Sequence, residues 1–376
     1  MGITLDGQAF APEWIRTLAP YPPGKPIEEL EREYGIRDSI KLASNENPLG
    51  PSPKALEAIS RALPDLHRYP DGSGYYLKRA LARKLGVSPE AIVLGNGSNE
   101  IIELVVRTFL RPGEEAVMAD QAFIIYRLVV QAQGGRNRIV PLRRYTHDLE
   151  AIFDAIGPQT RLVFLANPNN PTGTIFRRRE WEDFIAHVPA HVIVVMDEAY
   201  YEFVEDPDYP DSLTSHRPGR PLVTLRTFSK IYGLAGLRIG YGIAPPELVD
   251  LIDRVRAPFN VSSLAQVAAL AALEDDEHVE RTRQCNREGM AYLRAEFERL
   301  GLDFVPSSAN FLLVRVGNGA RVYEAMLREG VIVRPMGVYG FPEHVRISIG
   351  TPQENERCVA ALERVLRRGG KSAATF

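Results

Sequence analysis

The chain has 376 residues, 45 Lys and Arg against 48 Asp and Glu, a formal net charge of −3, and 45% hydrophobic residues. This near-neutral balance leaves no electrostatic footprint for nucleic acid or an anionic membrane surface, and no apolar run reaches the roughly 18 residues of a membrane span. At this length two domains or more are expected.

The first ten residues carry Asp6 and no basic-then-apolar leader pattern. Cys285 and Cys358 make neither a metal-ligand spacing nor a disulfide framework, so a reducing, cytosolic compartment is expected. Residues 20–26 predict an extended arm, because proline is excluded from helix interiors and central strands. Pro48, Pro51 and Pro53 repeat that pattern before a helix predicted over 54–63. From Ala91 onward, β-branched runs alternate with segments of helical period. Strands are predicted at 91–94, 116–118, 138–141, 162–166, 192–196, 222–225 and 237–243, with helices such as 101–110 and 180–188 between them. That alternation predicts an α/β fold with a mostly parallel sheet covered on both faces. The 192–196 run is apolar at every position, as a strand buried on both faces should be.

The pattern then changes. An Ala-rich helix over 265–273 precedes a long amphipathic helix over 277–300. Next come Phe304, a strand at 311–316, a helix at 321–329, strands at 331–334 and 345–349, and a last helix to about Arg367. These elements predict a second α/β unit of about a hundred residues. The tail 369–376 is expected to fray.

Four segments at predicted strand ends could carry chemistry, since open α/β sheets bind ligands there. The first is Gly95-Asn96-Gly97-Ser98-Asn99-Glu100. Its glycines let the backbone approach a ligand, and Ser98 can cap a helix whose free N–H groups attract phosphate. Alone, it reads better as an ordinary Gly-rich turn with a capped helix. The second is Asn167-Pro168-Asn169-Asn170-Pro171-Thr172-Gly173, where amides held between prolines suit a planar ligand or simply build a turn.

The third segment, Asp197-Glu198-Ala199-Tyr200, ends the most apolar strand. A carboxylate is costly to bury there unless it meets a positive partner, and Tyr200 reaches the same place if the chain turns. No His or Cys cluster stands nearby, so no metal is expected. The fourth is Thr227-Phe228-Ser229-Lys230, followed by Gly233, Gly236 and Arg238. A Lys among small and apolar residues can have a lowered pKa and act as the amine of a Schiff base. Arg238 offers a fork for phosphate. Together the four supply what a pyridoxal phosphate site needs: an amine, an acidic partner for the ring nitrogen and a phosphate pocket. A nicotinamide site would need G-x-G-x-x-G opening the first α/β unit, and it is absent.

In this order, Asn170-Pro171-Thr172-Gly173, Asp197-Glu198-Ala199-Tyr200 and Ser229-Lys230 with Arg238 resemble the fold-type I aminotransferases of class II. The segments Leu42-Ala43-Ser44-Asn45-Glu46-Asn47-Pro48-Leu49-Gly50, His67-Arg68-Tyr69-Pro70-Asp71 and Pro168-Asn169-Asn170-Pro171 resemble, more narrowly, the histidinol-phosphate aminotransferase family. The likeness runs from about Leu18 to about Ala360. It implies a large cofactor domain over 48–272, with a mostly parallel seven-stranded sheet sandwiched by helices. Residues 1–47 and 273–376 would form an N-terminal arm and a smaller α/β domain.

The resemblance also implies roles. Lys230 would form the Schiff base with pyridoxal 5'-phosphate and then shuttle the proton between Cα and C4′. Asp197 would keep the pyridine nitrogen protonated, while Asn170 and Tyr200 would hydrogen-bond the ring's phenolic oxygen. Gly97, Ser98, Asn99, Thr227, Ser229 and Arg238 would hold the phosphate. Tyr69 would reach the cofactor phosphate of a neighbouring subunit, which implies a homodimer with shared active sites. Phe123 stands where the family often has a Tyr stacked on the ring, and keeps the stacking without the hydroxyl. Arg346 would bind the substrate carboxylate or phosphate, with Tyr21, Asn45, Asn310 and Arg334 as further substrate-pocket residues. For Arg334 an exposed strand-end charge is an equal reading.

The implied reaction is ping-pong transamination: glutamate leaves as 2-oxoglutarate, and imidazole-acetol phosphate becomes L-histidinol phosphate. Aromatic aminotransferases of the same subfamily carry near-identical motifs, and threonine-phosphate decarboxylase resembles them too. A degenerate domain that only binds ligands is disfavoured by intact Asn170, Asp197, Tyr200, Lys230 and Arg238. Other residues read blandly. Arg177, Arg178 and Arg179 suggest a solvated helix start, none of the seven histidines is assigned to catalysis, His67 reads as structural, and Cys285 as an inert thiol.

Overall fold

The computed structural model describes residues 7–372, without the side chains of 369–372. In chain order its strands are β1 (Ile40–Lys41), β2 (Ile92–Asn96), β3 (Glu115–Ala119), β4 (Arg136–Val140), β5 (Thr160–Ala166), β6 (Ile193–Asp197), β7 (Leu222–Thr227) and β8 (Ile239–Ile243). They continue as β9 (Phe304–Val305), β10 (Phe311–Arg315), β11 (Val331–Ile332), β12 (Arg334–Pro335) and β13 (His344–Ser348).

Seven of them form one sheet in the order β2-β8-β7-β6-β5-β3-β4. The neighbours from β7 to β4 run parallel, and β8 alone is antiparallel, to both β2 and β7. The expected mostly parallel, seven-stranded sheet is therefore present. Its central strand shows why the sequence chose this arrangement. Ile193 and Val195 of β6 pack with Ile101, Val105, Tyr126 and Ile252, while Val194 and Met196 pack with Trp181, Phe184 and Ile152. The period of two sends alternate side chains to two apolar layers, which explains a strand apolar at every position.

The smaller sheet, β12-β13-β10-β9, is antiparallel throughout. Leu312, Val314, Val345 and Ile347 from it pack with Leu293 and Phe297 of the helix Asp276–Arg299 and with Leu362 of the helix Pro352–Ser372. The N-terminal segment joins this side: β1 pairs parallel with β11, and Leu30 and Ala43 pack against Leu327 and Ile332. Residues 20–26 lack regular structure, as predicted, and the helix Ile27–Tyr34 starts directly after Pro26.

Several boundaries move for local reasons. The strand predicted at 237–243 begins at Ile239, because Ala235–Leu237 forms a short 3-10 turn and Arg238 adopts a left-handed φ of 55°. The helix predicted from Ile101 begins at Gly97, so residues 97–100 form its first turn while Gly95 and Asn96 end β2. Strand 192–196 shifts by one to take in Asp197, and 331–334 divides into two short strands in different sheets. The last helix reaches Ser372, past the predicted Arg367; of the predicted frayed tail, 373–376 lie outside the described residues. Among the described residues no helix is long and apolar enough to cross a membrane.

Candidate active site

The ends of β5, β6 and β7 open onto one cavity of about 390 Å³, the size of a small-molecule site. Asp197 and Thr227 line it from the last positions of β6 and β7, and Asn170, Tyr200, Ser229 and Lys230 from the loops after the strands, with Ser98, Asn99, Phe123 and Arg238 beside them. Tyr21, Asn45, Arg334 and Arg346 line the opposite wall. Segments read separately from the sequence thus converge.

Lys230 Nζ donates to the Ser44 carbonyl at 3.1 Å and lies 5.7 Å from the centre of the Tyr200 ring. Burial pushes its pKa down to about 8, aided by the charges of Arg346 and Arg238 and opposed by Glu46 and Asp197. An amine so placed is free at mildly alkaline pH, as its apolar surroundings predict.

Asp197 is 6% exposed at the end of β6. Its Oδ2 accepts from the Tyr126 hydroxyl at 2.7 Å, and its Oδ1 from the Ala199 N–H at 3.1 Å. Burial raises the carboxyl pKa, while these two donors and the Lys230 charge oppose the rise. Tyr126 is fully buried and stacks on Phe164 at 4.9 Å. The next residue, Glu198, turns away and pairs with Arg226 at 2.8 Å, whose guanidinium lies 3.6 Å from the Tyr201 ring centre.

The anion cradle is built by close approach. A Cβ on Gly97, at φ +73°, would sit 2.5 Å from the Arg238 guanidinium, and one on Gly240 would sit 2.5 Å from the Ser98 nitrogen. Glycine at both positions lets Arg238 and β8 close on the first turn of the helix Gly97–Phe109. First-turn N–H groups have no intrahelical acceptor, so Ser98 and Asn99 present donors beside a fixed cation. Gly97 backs this cradle without lining the cavity.

On the opposite wall, Arg334 and Arg346 face each other in register across β12 and β13. Arg346 donates to Asn170 Oδ1 at 2.5 Å and to the Ala43 carbonyl at 2.7 Å, while its buried Nε has no partner. Arg334 donates to the Pro22 carbonyl at 2.7 Å and lies 5.6 Å from the Tyr21 ring centre. At 8% exposure it is no solvated strand-end charge.

Asn310 does not line the cavity; it is buried behind Asn45 and donates to the Asn45 carbonyl at 3.1 Å. From its position just ahead of β10 the amide nitrogen meets that carbonyl, while the buried Oδ1 has no partner. Tyr69 lies outside its own chain's cavity, 84% exposed and stacked on Phe259 at 4.9 Å. Phe123 lines the cavity edge-on to Tyr126, with ring centres 5.7 Å apart. Sequence reasoning missed Tyr126, Tyr339 and Glu46, all of which line the cavity. A Tyr one helical turn beyond Phe123, in an apolar stretch, needs a partner when buried, and that signal could have found it. Arg177 to Arg179 are exposed at a helix start, His67 is exposed, and burial raises the partly buried Cys285 thiol.

Comparison with known proteins accounts for this geometry. The family model for aminotransferase class I and II matches residues 37–362. The chain belongs to that aminotransferase family. This aminotransferase is 53% identical to histidinol-phosphate aminotransferase 1 of Nitrosococcus oceani over 353 residues, covering 94% of the chain and 95% of that protein. It is 51% identical to the histidinol-phosphate aminotransferase of Moorella thermoacetica over 356 residues, covering 94% and 92%. Its fold matches the histidinol-phosphate aminotransferase of Sinorhizobium meliloti, solved in complex with pyridoxal-5'-phosphate. The TM-score is 0.87 at 31% identity, over 95% of this chain and 97% of that one. A mutant aspartate aminotransferase of Thermus thermophilus superposes at a TM-score of 0.81 with 25% identity, over 94% and 99%. Both sheets of this aminotransferase therefore belong to the shared fold.

Proposed function

We propose that this enzyme uses pyridoxal 5'-phosphate to exchange an amino group between glutamate and histidinol phosphate. The cavity's donor set fits that cofactor. An amine lowered to about 8, a buried carboxylate short of a cation, and a glycine-backed arginine at a helix start all face one space. The observation that carries the substrate reading is the pair Arg334 and Arg346, buried side by side on the wall facing Lys230. Two guanidiniums at one end can receive the carboxylate of one substrate and the phosphate of the other. Near-50% identity to histidinol-phosphate aminotransferases over almost the whole chain supports the same reading.

The bound cofactor supplies an electron-accepting ring. Asp197 would hold the proton on the ring nitrogen, and Tyr126 would keep that carboxylate charged. Ser98, Asn99, Thr227, Ser229 and Arg238 would hold the phosphate, with Gly97 leaving room for Arg238. Phe123 would cover one ring face, while Asn170 and Tyr200 would meet the phenolic oxygen. Lys230 Nζ, once free, would take the proton from the substrate Cα and return it. Arg346 would orient the substrate's anionic end, and Tyr21 with Arg334 would shape the wall beyond it.

The deciding measurement is kcat/KM with 2-oxoglutarate as acceptor, for histidinol phosphate against phenylalanine and tyrosine. We expect a strong preference for histidinol phosphate. Preference for the aromatic amino acids would reassign the substrate, and carbon dioxide release without 2-oxoglutarate turnover would mark a lyase.

We further propose a cytoplasmic homodimer with shared sites, divided into 48–272 and 1–47 with 273–376. Tyr69, Tyr76, Leu56 and Leu66, each more than half exposed, support such a contact. Sedimentation that returns a monomer at micromolar concentration would remove the dimer from this reading.

A further inference from the structure

Asn45 enters the site as a substrate-pocket residue, and each of its four polar groups is held by the protein. It is 1% exposed, at a left-handed φ of 54°. Its backbone N–H donates to Ser348 Oγ at 2.9 Å, and its carbonyl accepts from Asn310 Nδ2 at 3.1 Å. Its side-chain Oδ1 accepts from Ser348 Oγ at 2.9 Å, and its Nδ2 donates to the Tyr200 hydroxyl at 2.8 Å.

The polarity of this chain is determined. The Ser348 hydroxyl already accepts the Asn45 N–H, so its own proton is free and goes to Asn45 Oδ1. The amide oxygen must then face Ser348, and the amide nitrogen must face Tyr200. A flipped amide would leave the Ser348 oxygen facing two N–H donors, with its own proton unplaced. The Tyr200 oxygen therefore accepts from Asn45, which leaves the phenol's proton to be donated into the cavity. Tyr200 is otherwise held by packing, 4% exposed and edge-on to Phe311 at 5.3 Å. The charged and titratable groups around it are Arg346, Asp197, Tyr21 and Lys230.

We propose that Asn45 is a positioning residue for Tyr200: it sets the direction in which the phenol donates, and ties that phenol to β13, the strand bearing Arg346. This rests on the cofactor reading above, in which Tyr200 meets the phenolic oxygen of pyridoxal 5'-phosphate. With the cofactor bound, Tyr200 would donate its proton to that oxygen, and the donation would lower the pH at which the bound group gives up its own proton.

The test is the pH midpoint of the bound cofactor's visible absorbance, without substrate, in the parent and in Asn45→Asp, Asn45→Ala and Ser348→Ala. Aspartate has nearly the same shape but accepts from both neighbours, so it takes the Tyr200 proton away from the cavity. Asn45→Asp should raise the midpoint by about one pH unit, the scale of a tenfold shift. Asn45→Ala and Ser348→Ala should raise it by less. A purely structural role gives the reverse order, with alanine worse than the near-isosteric aspartate; that order, or a parental midpoint in Asn45→Asp, overturns the proposal. Should the Asn45 variants not fold, a parental midpoint in Ser348→Ala overturns it equally. A parent protein that gains no visible absorbance with pyridoxal phosphate would instead refute the proposed function.

Discussion

At the end of β6 two buried carboxylates stand side by side and enter different regions. Asp197 enters the cavity, where its contacts are neutral donors: the Tyr126 hydroxyl and the Ala199 N–H. Glu198 enters the packing beyond, where Arg226 pairs with it at 2.8 Å and the Ser212 N–H approaches at 3.4 Å. Burial alone does not mark a functional acid, since the two are comparably buried. What differs is compensation. A carboxylate with its own cation in contact is structural, whereas one held by neutral donors is poised for a positive ligand.

The comparison can be broken in several places. The largest expected effect lies beside Asp197: Lys230→Ala should lower turnover by about a thousandfold or more while leaving the melting temperature near the parent's. Turnover within tenfold of the parent would exclude Lys230 as the catalytic amine. Next comes the carboxylate pair itself. Asp197→Asn should cost about a hundredfold in kcat/KM with stability retained, because a neutral amide cannot pair with a ring cation. Glu198→Gln should do the opposite, leaving buried Arg226 only the partly exposed Asp211, at 3.5 Å, as counter-charge, at about 3 kcal/mol of stability, with near-parental turnover per folded molecule. Denaturant titration and steady-state kinetics on both variants decide it, and exchanged outcomes would invert the assignment.

A third carboxyl sharpens the contrast. Glu202, beyond the Glu198–Arg226 pair, has a buried Oε2 without a partner, and burial pushes its pKa up from 4.5 to about 7. The folded chain holds this proton at pH values where the unfolded chain has lost it. Stability from this group is therefore present below pH 4.5, declines up to about pH 7, and is flat above. Glu202→Gln removes the titration, so it should stabilise the protein by about 3 kcal/mol at pH 8, a gain that shrinks toward pH 5. A pH-independent difference in unfolding free energy would show that Glu202 is ionised throughout. The smallest effect is expected from Tyr126→Phe, which keeps the stack on Phe164 and removes one donor to Asp197. Cofactor affinity, read by fluorescence titration, should weaken by about fivefold to tenfold, the scale of one ordinary net hydrogen bond.

Much of this was legible in the residues. The alternating runs from Ala91 onward gave the sheet, because burying a strand on both faces leaves an unmistakable apolar run such as that ending in Met196. The motif loops gave the cavity's floor, because turn formers, glycines and a Lys in apolar company act within a few residues of themselves. Asn310's place behind Asn45 was not legible, because nothing local distinguishes an amide aimed into a cavity from one aimed behind it. Tyr126 went unnoticed because an apolar helix face hides a hydroxyl until its partner is known.

The sequence by itself determined which chemical groups the protein owns and that they fall at strand ends, since periodicity, capping and turn chemistry are short-range. Tertiary structure alone decided how they are paired. Arg334 met Arg346 across β12 and β13, Tyr126 found Asp197 from 71 residues away, and Ser348 reached Asn45 from 303 away. Each of these contacts depends on the register and packing of elements distant in the chain, and a hydrogen bond needs that placement to within a few tenths of an ångström.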